Sequence, residues 1–419
     1  PGDGAALAAT FDGYPMAMNG KAESALAISA IASFIGGIIA VVFMVLVATP
    51  VARFALKFGP AEYFLLMVAA LVMTSSMSKG NMLKGFVATA IGLMIATVGI
   101  DAQSGVKRFT FGVLELQSGI DFLVVIIAIY ALGEVFKSFK TLKEGKKKAQ
   151  TKFKKIWITR EEWAKCKWPI LRSAPLGFII GALPGAGGTM ASLMAYNNEK
   201  QMSKNPDDFG KGEIVGLAAP ESANNAASVG ALIPMLTLGI PGSGTTAVMM
   251  GALLMLGIQP GPLLFSQHPD IAWGLIASMF IGNIILAIVN IPMAGLLVRV
   301  LSIPPKVLYP IVLALAFVGT FAIGNSVVDF YLLVAFGLAG YIMSKVNIPT
   351  APMILAVIVG NTMEQSFRQT LRISDGSYVA FFDSGLSIAL VAITVFSVVA
   401  PLIKAKMELR KTQQIITES

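Results

Sequence analysis

Three Pro-Gly clusters within apolar sequence contain the residues of this chain that are best suited to bind a ligand. They are Pro-Gly-Asp-Gly at 1–4, Pro-Gly-Ala-Gly at 184–187 and Pro-Gly-Ser-Gly at 241–244. Proline ends a helix and glycine lets the chain turn, so a new helix can begin after each cluster with its first N–H groups free. These groups lie at the positive end of the helix dipole and attract carboxylates. We therefore predict that the clusters hold the carboxylate groups of a substrate.

The helix starts that follow the clusters extend the predicted site. New helices are expected at about Thr189 and Thr245, where hydroxyl groups can add hydrogen bonds to those of the backbone. The predicted substrate-binding residues are those of the three turns and of the two helix starts: Pro1, Gly2, Gly4, Gly185, Ala186, Gly187, Gly188, Thr189, Gly242, Ser243, Gly244, Thr245 and Thr246.

One difference between the first and third clusters changes their chemistry, because Asp3 occupies the place of Ser243. A carboxylate is ill suited to hold an anion but suited to a cation or a proton. Asp3 is therefore predicted to bind a coupling ion, with Asn224 and Asn225 as neutral oxygen donors. Glu221 has the same interpretation. The alternative for each charge is that it caps a helix or marks a loop at a membrane surface. No cofactor and no metal other than Na⁺ is predicted.

Composition places these clusters in a membrane protein. Of the 419 residues, 55% are hydrophobic and 13% are charged, compared with about 25% charged residues in soluble domains. Most of the apolar runs approach the length of about 17 to 25 residues that a membrane-spanning helix requires. We predict an all-α polytopic protein with eleven or twelve membrane segments. The runs lie at about 25–49, 62–77, 82–100, 120–136, 271–298, 306–322, 327–343 and 380–403, with interrupted runs between 173 and 265.

The sequence gives little support to an enzyme. It contains neither a G-x-x-x-x-G-K-[ST] phosphate loop nor an H-E-x-x-H zinc helix. His268 is the only histidine, so it is the only base that an intramembrane serine protease built on Ser243 would have. Cys166 is the only cysteine, which excludes a disulfide within the chain and a cysteine-based metal cluster. We predict that the chain is not an enzyme.

The positive charge of the chain is concentrated in one segment. Residues 137–172 contain thirteen Lys and Arg against three Glu, a net charge of +10, whereas the whole chain carries +9. This distribution is typical of a cytoplasmic loop of a membrane protein and argues against a nucleic-acid partner. The segment is interpreted as a solvated connector, with docking of a protein partner or of anionic membrane lipid as the alternative. Basic residues at 404–411 place the C-terminus on the cytoplasmic side as well.

The second half of the chain repeats landmarks of the first. When the two halves are aligned from Pro1 and Pro241, the following positions correspond: Gly37 with Gly282, 58–60 with 303–305, 80–81 with 324–325, and Glu134 near Glu364. Glu134 leads into the cytoplasmic basic segment, whereas Glu364 precedes a segment that starts outside. Equivalent ends thus lie on opposite faces, which indicates an inverted-topology repeat with discontinuous helices and re-entrant Pro-Gly turns at the midplane.

This repeat sets the predicted domain boundaries. They are 1–136 for the first repeat, 137–172 for the basic cytoplasmic loop, 173–378 for the second repeat, 379–403 for the final transmembrane helix and 404–419 for a cytoplasmic tail. The turns at Pro1 and Pro241 become opposed halves of one site. About seventy residues precede Pro241 in the second repeat, so we expect a similar stretch, with a partner for the Pro184 turn, to be missing before Pro1.

Three segments make the sequence resemble a known family: 181–200 (GALPGAGGTMASLMAYNNEK), 221–228 (ESANNAAS) and 239–244 (GIPGSG), together with the first 22 residues. They resemble the large membrane subunit of the tripartite tricarboxylate transporters over essentially the whole chain. The resemblance implies a bacterial inner-membrane secondary transporter. It also implies two partners, a small membrane subunit and a periplasmic solute-binding protein that delivers a carboxylate, and uptake driven by Na⁺ or H⁺.

The expected function is therefore translocation of tricarboxylates or related carboxylates by symport. The competing interpretation is a passive channel or facilitator for small organic anions, in which the same turns line a selectivity filter without coupling. A scaffold for another membrane protein is a third interpretation, and it leaves the polar turns unexplained.

Overall fold

Helices account for almost all of the regular structure in the computed structural model. The structure describes residues 4–76, 82–101, 103–138, 158–184, 187–300 and 305–418. The α-helices, in chain order, are α1 (Leu7–Met18), α2 (Ala22–Ala55), α3 (Pro60–Ser76), α4 (Met82–Ala96), α5 (Phe122–Ile127), α6 (Gly133–Ser138), α7 (Arg160–Gly181), α8 (Gly187–Met202), α9 (Val215–Gly230), α10 (Leu232–Leu238), α11 (Gly244–Met255), α12 (Leu264–Gln267), α13 (Pro269–Val300), α14 (Pro305–Gly324), α15 (Val328–Lys345), α16 (Thr350–Ile373) and α17 (Gly385–Glu418).

Several of these helices are long and apolar enough to cross a membrane, as the composition predicts. Four meet both criteria among the described residues: Ala22–Ala55, Pro269–Asn290, Val307–Gly324 and Val328–Lys345. Shorter apolar helices occur in α3, α4, α11, the start of α17 and the stretch 122–132, where a π-helical turn (Ala128–Leu132) joins α5 to α6. The all-α membrane architecture is confirmed, whereas the number of eleven or twelve spans stays a prediction.

The chain forms two compact units that do not coincide with the two predicted repeats. The first unit comprises Pro1–Leu56 and Phe139–Val312, and the second comprises Lys57–Ser138 and Leu313–Ser419. Each unit thus takes one part of each repeat. By residue range, the first unit contains the beginnings of both predicted repeats, to which the three Pro-Gly clusters belong.

Helix α9 is the centre of the first unit and packs against α1, α2, α7, α8 and α10. Small residues allow its backbone to approach its neighbours closely, as is usual in membrane proteins. A Cβ atom added to Gly181 of α7 would come within 2.5 Å of the Ala227 Cα atom. One added to Gly177 would come within 2.6 Å of the Ala223 Cα atom. The two glycines and the two alanines therefore form one interface with the same spacing of four residues on α7 and α9.

Helices α7 and α8 form an antiparallel hairpin. The Arg172 guanidinium of α7 donates to the Glu199 carboxylate of α8, with 2.5 Å between Nε and Oε1. Arg172 precedes the end of α7 at Gly181 and Glu199 follows the start of α8 at Gly187, so their contact requires the two helices to run antiparallel. The Glu199 side chain is only 1% exposed, so its charge needs this partner. The tip of the hairpin lies between Gly181 and Gly187.

The second unit packs α16 against α3 and α4, and α15 against the continuous stretch α5–α6. Close approaches again use glycine, since a Cβ atom at Gly92 of α4 would come within 2.7 Å of the Ala356 Cβ atom of α16. Between α4 and α5 the chain forms a short antiparallel strand pair, β1 (Gly99–Ile100) and β2 (Lys107–Arg108). Helix α16 has no counterpart among the predicted apolar runs.

One predicted segment needs correction. The basic segment 137–172 is not a solvated loop throughout, because α7 begins at Arg160 and Cys166 is completely buried. A capping box between Thr159 and Glu162 starts this helix. Helix α17 extends as far as Glu418, so the predicted tail 404–419 is helical up to that residue, and its cytoplasmic position stays a prediction. Residues 139–157 lie outside the described residues.

Candidate functional site

The Pro184 turn places the start of α8 beside α9 and the beginning of the chain. Helix α7 ends at Gly181 and α8 begins at Gly187, where φ is +57°. Glycine adopts this left-handed backbone without the steric cost that a side chain would add. The sequence thus predicts the helix start to within two residues. Gly185 and Ala186 lie outside the described residues.

Gly188 makes the closest contacts of this turn. A Cβ atom at this position would overlap Oδ1 of Asn224 and come within 3.1 Å of the Ala5 Cβ atom. The structure therefore brings together the start of α8, the middle of α9 and the residue that follows Gly4. Pro1, Gly2 and Asp3 lie outside the described residues. The contact joins the first turn's end to the Pro184 turn, whereas the predicted pairing of Pro1 with Pro241 stays a prediction.

Glu221 lies one helical turn before Asn224 on α9. Its Oε2 atom accepts a hydrogen bond of 3.1 Å from the Ser33 hydroxyl of α2. No Lys or Arg among the described residues forms an ion pair with this carboxylate. The next residue, Ser222, is fully buried and donates 2.8 Å to the Ile170 carbonyl of α7. Glu221 is thus held by a neutral donor inside the first unit.

The Asn225 side chain forms a hydrogen bond within its own helix, α9. Its Nδ2 atom donates a 3.1 Å hydrogen bond to the Glu221 carbonyl, and its Oδ1 atom has no donor among the described residues. Asn224 therefore differs from Asn225, because its amide packs on the start of α8. The structure brings Asn224 to the start of α8, whereas the Glu221 carboxylate contacts α2. The ion-binding role of all three residues stays a prediction.

The third turn begins where α10 ends at Gly239, whose φ is +70°. A Cβ atom at Gly242 would come within 2.8 Å of the Ala231 carbonyl oxygen, so the turn packs on the end of α9. Ala231 follows Asn224 by seven residues, or about 10 Å along a helix. The second and third turns therefore meet the same helix at points about 10 Å apart.

Some hydroxyl groups of the third turn already form hydrogen bonds within the protein. Ser243 caps α11, and its Oγ atom accepts from the Thr246 N–H at 3.3 Å. The Thr246 hydroxyl in turn accepts from the Ser243 N–H at 2.9 Å. Thr245 is exposed and its hydroxyl has no hydrogen-bond partner among the described residues. The N–H groups of Gly244 and Thr245 remain for a ligand, and a substrate role for Ser243 and Thr246 stays a prediction.

Asp12 is a buried charge that the sequence did not single out. Its Oδ1 atom accepts from the N–H groups of Gly210, Gly212 and Glu213 at 2.9, 2.7 and 2.8 Å. Its Oδ2 atom accepts 2.9 Å from the Tyr196 hydroxyl. These four hydrogen bonds satisfy the carboxylate and fasten α1 to the segment before α9. The Gly-x-Gly pattern at 210–212 is the only local signal for such a nest of N–H groups.

The described residues contain no group of three or more His, Cys, Asp or Glu side chains able to hold a metal ion. A cation near Glu221 would therefore be bound by one carboxylate with hydroxyl, amide and carbonyl oxygens. Such a ligand set is compatible with a hard monovalent cation, and a proton could occupy the carboxylate instead.

Comparison with known proteins identifies the family. The family model described as "Tripartite tricarboxylate transporter TctA family" matches residues 1–355. An uncharacterized 52.8 kDa protein in the TAR-I ttuC' 3' region of Agrobacterium vitis is 37% identical over 403 residues, which cover 96% of this chain and 80% of the relative. An uncharacterized protein in the TAR-II ttuC' 3' region of the same organism is 40% identical over 227 residues, 54% of this chain and 94% of the relative. No solved structure matches. The chain is a multi-pass membrane protein that belongs to the TctA family of tripartite tricarboxylate transporters.

Proposed function

We propose that this chain is the substrate-translocating subunit of a secondary transporter that imports tricarboxylates or related carboxylates. The observation that carries the proposal is the contact between Gly188 and Asn224 in the first unit of a TctA-family protein, with Glu221 about one helical turn before Asn224 on α9. Helix starts that suit a carboxylate lie beside a carboxylate and amides that suit a cation. A coupled carrier requires both kinds of site.

The substrate carboxylates bind at the starts of α8 and α11. Free N–H groups at Gly244 and Thr245 and at the first turn of α8 supply hydrogen bonds and positive dipole ends. The separation of about 10 Å along α9 suits a molecule with two or more carboxylates, each meeting one helix start. The coupling ion, Na⁺ or H⁺, binds near Glu221 and Asn224, with Asp3 as a further ligand.

The division into two units supports alternating access. The first unit contains the opening part of each predicted repeat and all three turns, so we assign to it the substrate and its movement. In the proposed assembly the chain lies in the bacterial inner membrane with a small membrane subunit. A periplasmic solute-binding protein delivers the carboxylate and selects it, because backbone N–H groups recognise carboxylate geometry rather than the rest of the molecule.

Uptake into proteoliposomes tests this proposal. The complex is reconstituted with its solute-binding protein, and a radiolabelled carboxylate is supplied with or without an imposed Na⁺ or H⁺ gradient. We expect accumulation against the concentration gradient only when an ion gradient is present. If the carboxylate only reached equal concentrations on both sides of the membrane, with or without an ion gradient, the protein would be a passive facilitator instead.

The Gly188→Ala variant tests the location of the site. Its Cβ atom displaces the mobile end of the Asn224 side chain, so the fold is preserved while the site is disturbed. We expect uptake to fall about tenfold or more, since small misplacements of binding groups can cost up to about 100-fold. Gly282→Ala on α13 is the matched control, because nothing lies within 4 Å of its Cβ position. Equal uptake by the two variants would contradict the assignment.

A further inference from the structure

Three neighbouring helices of the first unit cover most of the surface of α9. Three successive residues of α9 each pack against a glycine of a different neighbour: Ser222 against Gly36 of α2, Ala223 against Gly177 of α7 and Asn224 against Gly188 of α8. Successive residues of an α-helix point about 100° apart, so these three neighbours approach α9 from three different sides. One further side of α9 remains.

The remaining side of α9 is uncovered and polar. All residues from 216 to 231 are buried except Glu221, Asn224, Asn225 and Ser228. Their spacing places these four side chains on one face of the helix, and they are called the polar stripe below. Ser228 is exposed, whereas the other three are partly buried.

The exposed surface of α13, in the same unit, has the opposite character. Between residues 281 and 288, the exposed side chains of this candidate membrane span are Ile281, Ile284, Ile285, Leu286 and Ile288. Such an apolar surface suits lipid, whereas polar side chains within a membrane face the protein interior or a water-filled cavity. The polar stripe of α9 therefore faces water rather than lipid.

Ser228 lies between the two helix starts that are proposed to bind the substrate. Asn224 contacts Gly188 at the start of α8, and Ala231 contacts Gly242 in the third turn. Ser228 follows Asn224 by four residues and precedes Ala231 by three, or about 6 and 4.5 Å along the helix, and both lie within about 60° of it around the helix axis. A carboxylate molecule that reaches from one helix start to the other therefore passes over Ser228.

The polar stripe can offer hydrogen bonds to such a molecule. The Ser228 hydroxyl donates 3.1 Å to the Asn224 carbonyl, and the Asn225 amide donates 3.1 Å to the Glu221 carbonyl. Both are local bonds to the preceding turn, and rotation of the side chain can exchange them for a bond to a ligand. Glu221 lies seven residues before Ser228, or about 10 Å along the helix, so an anion at Ser228 is well separated from this carboxylate.

We propose that the uncovered side of α9 is the passage along which the substrate moves, and that Ser228 contacts the substrate between its two carboxylate-binding positions. This inference rests on the proposed transport function and adds to it a residue to which the Pro-Gly clusters assign no role. The small side chain of Ser228 leaves room for the substrate, and its hydroxyl replaces a hydrogen bond to water as the substrate passes.

Cysteine labelling in proteoliposomes tests this passage. Ser228→Cys is treated with a negatively charged, membrane-impermeant methanethiosulfonate, and the reaction is followed by intact mass. Native protein is the blank, because its single cysteine, Cys166, is completely buried. The matched controls are Ile281→Cys on the exposed apolar surface of α13 and Ala226→Cys at a buried position of α9. We expect Ser228→Cys to react at least about 10-fold faster than either control, because the reactive thiolate needs water.

Protection by a carboxylate then tests the contact with substrate. Uptake of radiolabelled citrate, succinate and malonate by the native complex first identifies a transported carboxylate. At ten times its half-saturating concentration, this carboxylate should slow the labelling of Ser228→Cys about fivefold or more, since roughly nine tenths of the sites are then occupied. Asn225→Cys, on the same stripe, gives a second reading if Ser228→Cys fails to fold.

The outcomes separate this inference from the function on which it rests. If the native complex takes up none of the three carboxylates, the proposed function fails and the inference fails with it. If uptake is normal but Ser228→Cys reacts as slowly as Ile281→Cys, only the passage along α9 is overturned. Rapid labelling that the transported carboxylate slows at neither Ser228→Cys nor Asn225→Cys would likewise overturn the contact with substrate.

Discussion

Replacing Gly181 by alanine should push α7 and α9 apart and destabilise the first unit. The added Cβ atom would come within 2.2 Å of the Ala227 carbonyl oxygen and 2.5 Å of the Ala227 Cα atom, whereas ordinary contacts begin at 3.4 Å, so the helices must separate by about 1.2 Å. The obstructing atoms belong to the α9 backbone and cannot rotate away as a flexible side chain would. Relief therefore requires movement of a whole helix, which loosens the other contacts of the interface.

The magnitude follows from a comparison with Gly282→Ala. Both changes gain about 1 kcal/mol of helix propensity, but only Gly181→Ala overpacks an interface, which typically costs about 1–3 kcal/mol. We take the upper end of this range because the added Cβ atom meets backbone atoms of α9. The free energies of unfolding of the two variants should therefore differ by about 2–3 kcal/mol. For a folding unit of this size, that difference corresponds to an apparent melting temperature lower by about 5–10 °C.

The double variant Gly177→Ala/Gly181→Ala sharpens the test. An added Cβ atom at Gly177 would lie 2.2 Å from the Ala223 carbonyl oxygen and 2.6 Å from the Ala223 Cα atom, so the same separation of about 1.2 Å relieves both overlaps. The two effects should therefore be less than additive. Thermal unfolding in detergent, followed by tryptophan fluorescence, compares the wild-type protein with Gly177→Ala, Gly181→Ala, the double variant and Gly282→Ala. A Gly181→Ala variant as stable as Gly282→Ala, or a double variant that loses the sum of the single losses, would refute this reasoning.

Three further predictions concern charges and the thiol. Burial raises the pKa of the Cys166 thiol to about 12. Native protein should therefore react with maleimide at least 100-fold more slowly than a Ser104→Cys variant that lacks Cys166. Rapid labelling of native protein would contradict the packing of α7 that buries Cys166. Arg172→Met should lower the free energy of unfolding by about 2 kcal/mol, measured by thermal unfolding. This loss is smaller than that expected for breaking a fully buried ion pair, because the Arg172 side chain is 42% exposed. Adding Glu199→Gln should recover most of the loss. Because the folded-state pKa of Asp101 is lowered from 3.8 to about 2 by the N–H groups of Ser104 and Gln103, its stabilisation is complete above about pH 4 and is lost as the pH falls towards 2. Hydrogen exchange of residues 99–108, corrected for intrinsic rates, should therefore show constant protection from pH 8 to 5. A loss of protection between pH 7 and 6 would show that ionised Asp101 is not what stabilises this segment.

Much of the helical framework could be predicted from the sequence because hydrocarbon demands long apolar runs. The runs at 25–49 and 327–343, for example, became α2 and α15. The positions of the turns were equally predictable, since proline and glycine act through the local backbone. Helix α16 was missed because its polar face, which includes Glu364 and Arg368, interrupts the apolar pattern. Its burial depends on partners that are distant in sequence.

The candidate site could be predicted only in part, for the same reason. Gly188 and Asn224 each stood out by residue type, but their contact depends on how α8 packs on α9. A count of charges likewise marked 137–172 as a solvated segment. The count could not show that α7 begins at Arg160 and packs against α2, α8 and α9. The Asp12 hydrogen bonds join residues about 200 positions apart, and no local sequence pattern predicts such a pairing.

The hydrogen bonds of Asp12 also set an order of assembly during synthesis. Gly212 is made 200 residues after Asp12, so the carboxylate of α1 leaves the ribosome long before its four donors exist. Until then α1 carries an unsatisfied charge that cannot be buried without cost. The first unit therefore closes late, after the hairpin α7–α8 and residues 210–213 have been translated. A ribosome stalled before residue 210 should hold a nascent chain in which α1 is still undocked and open to protease.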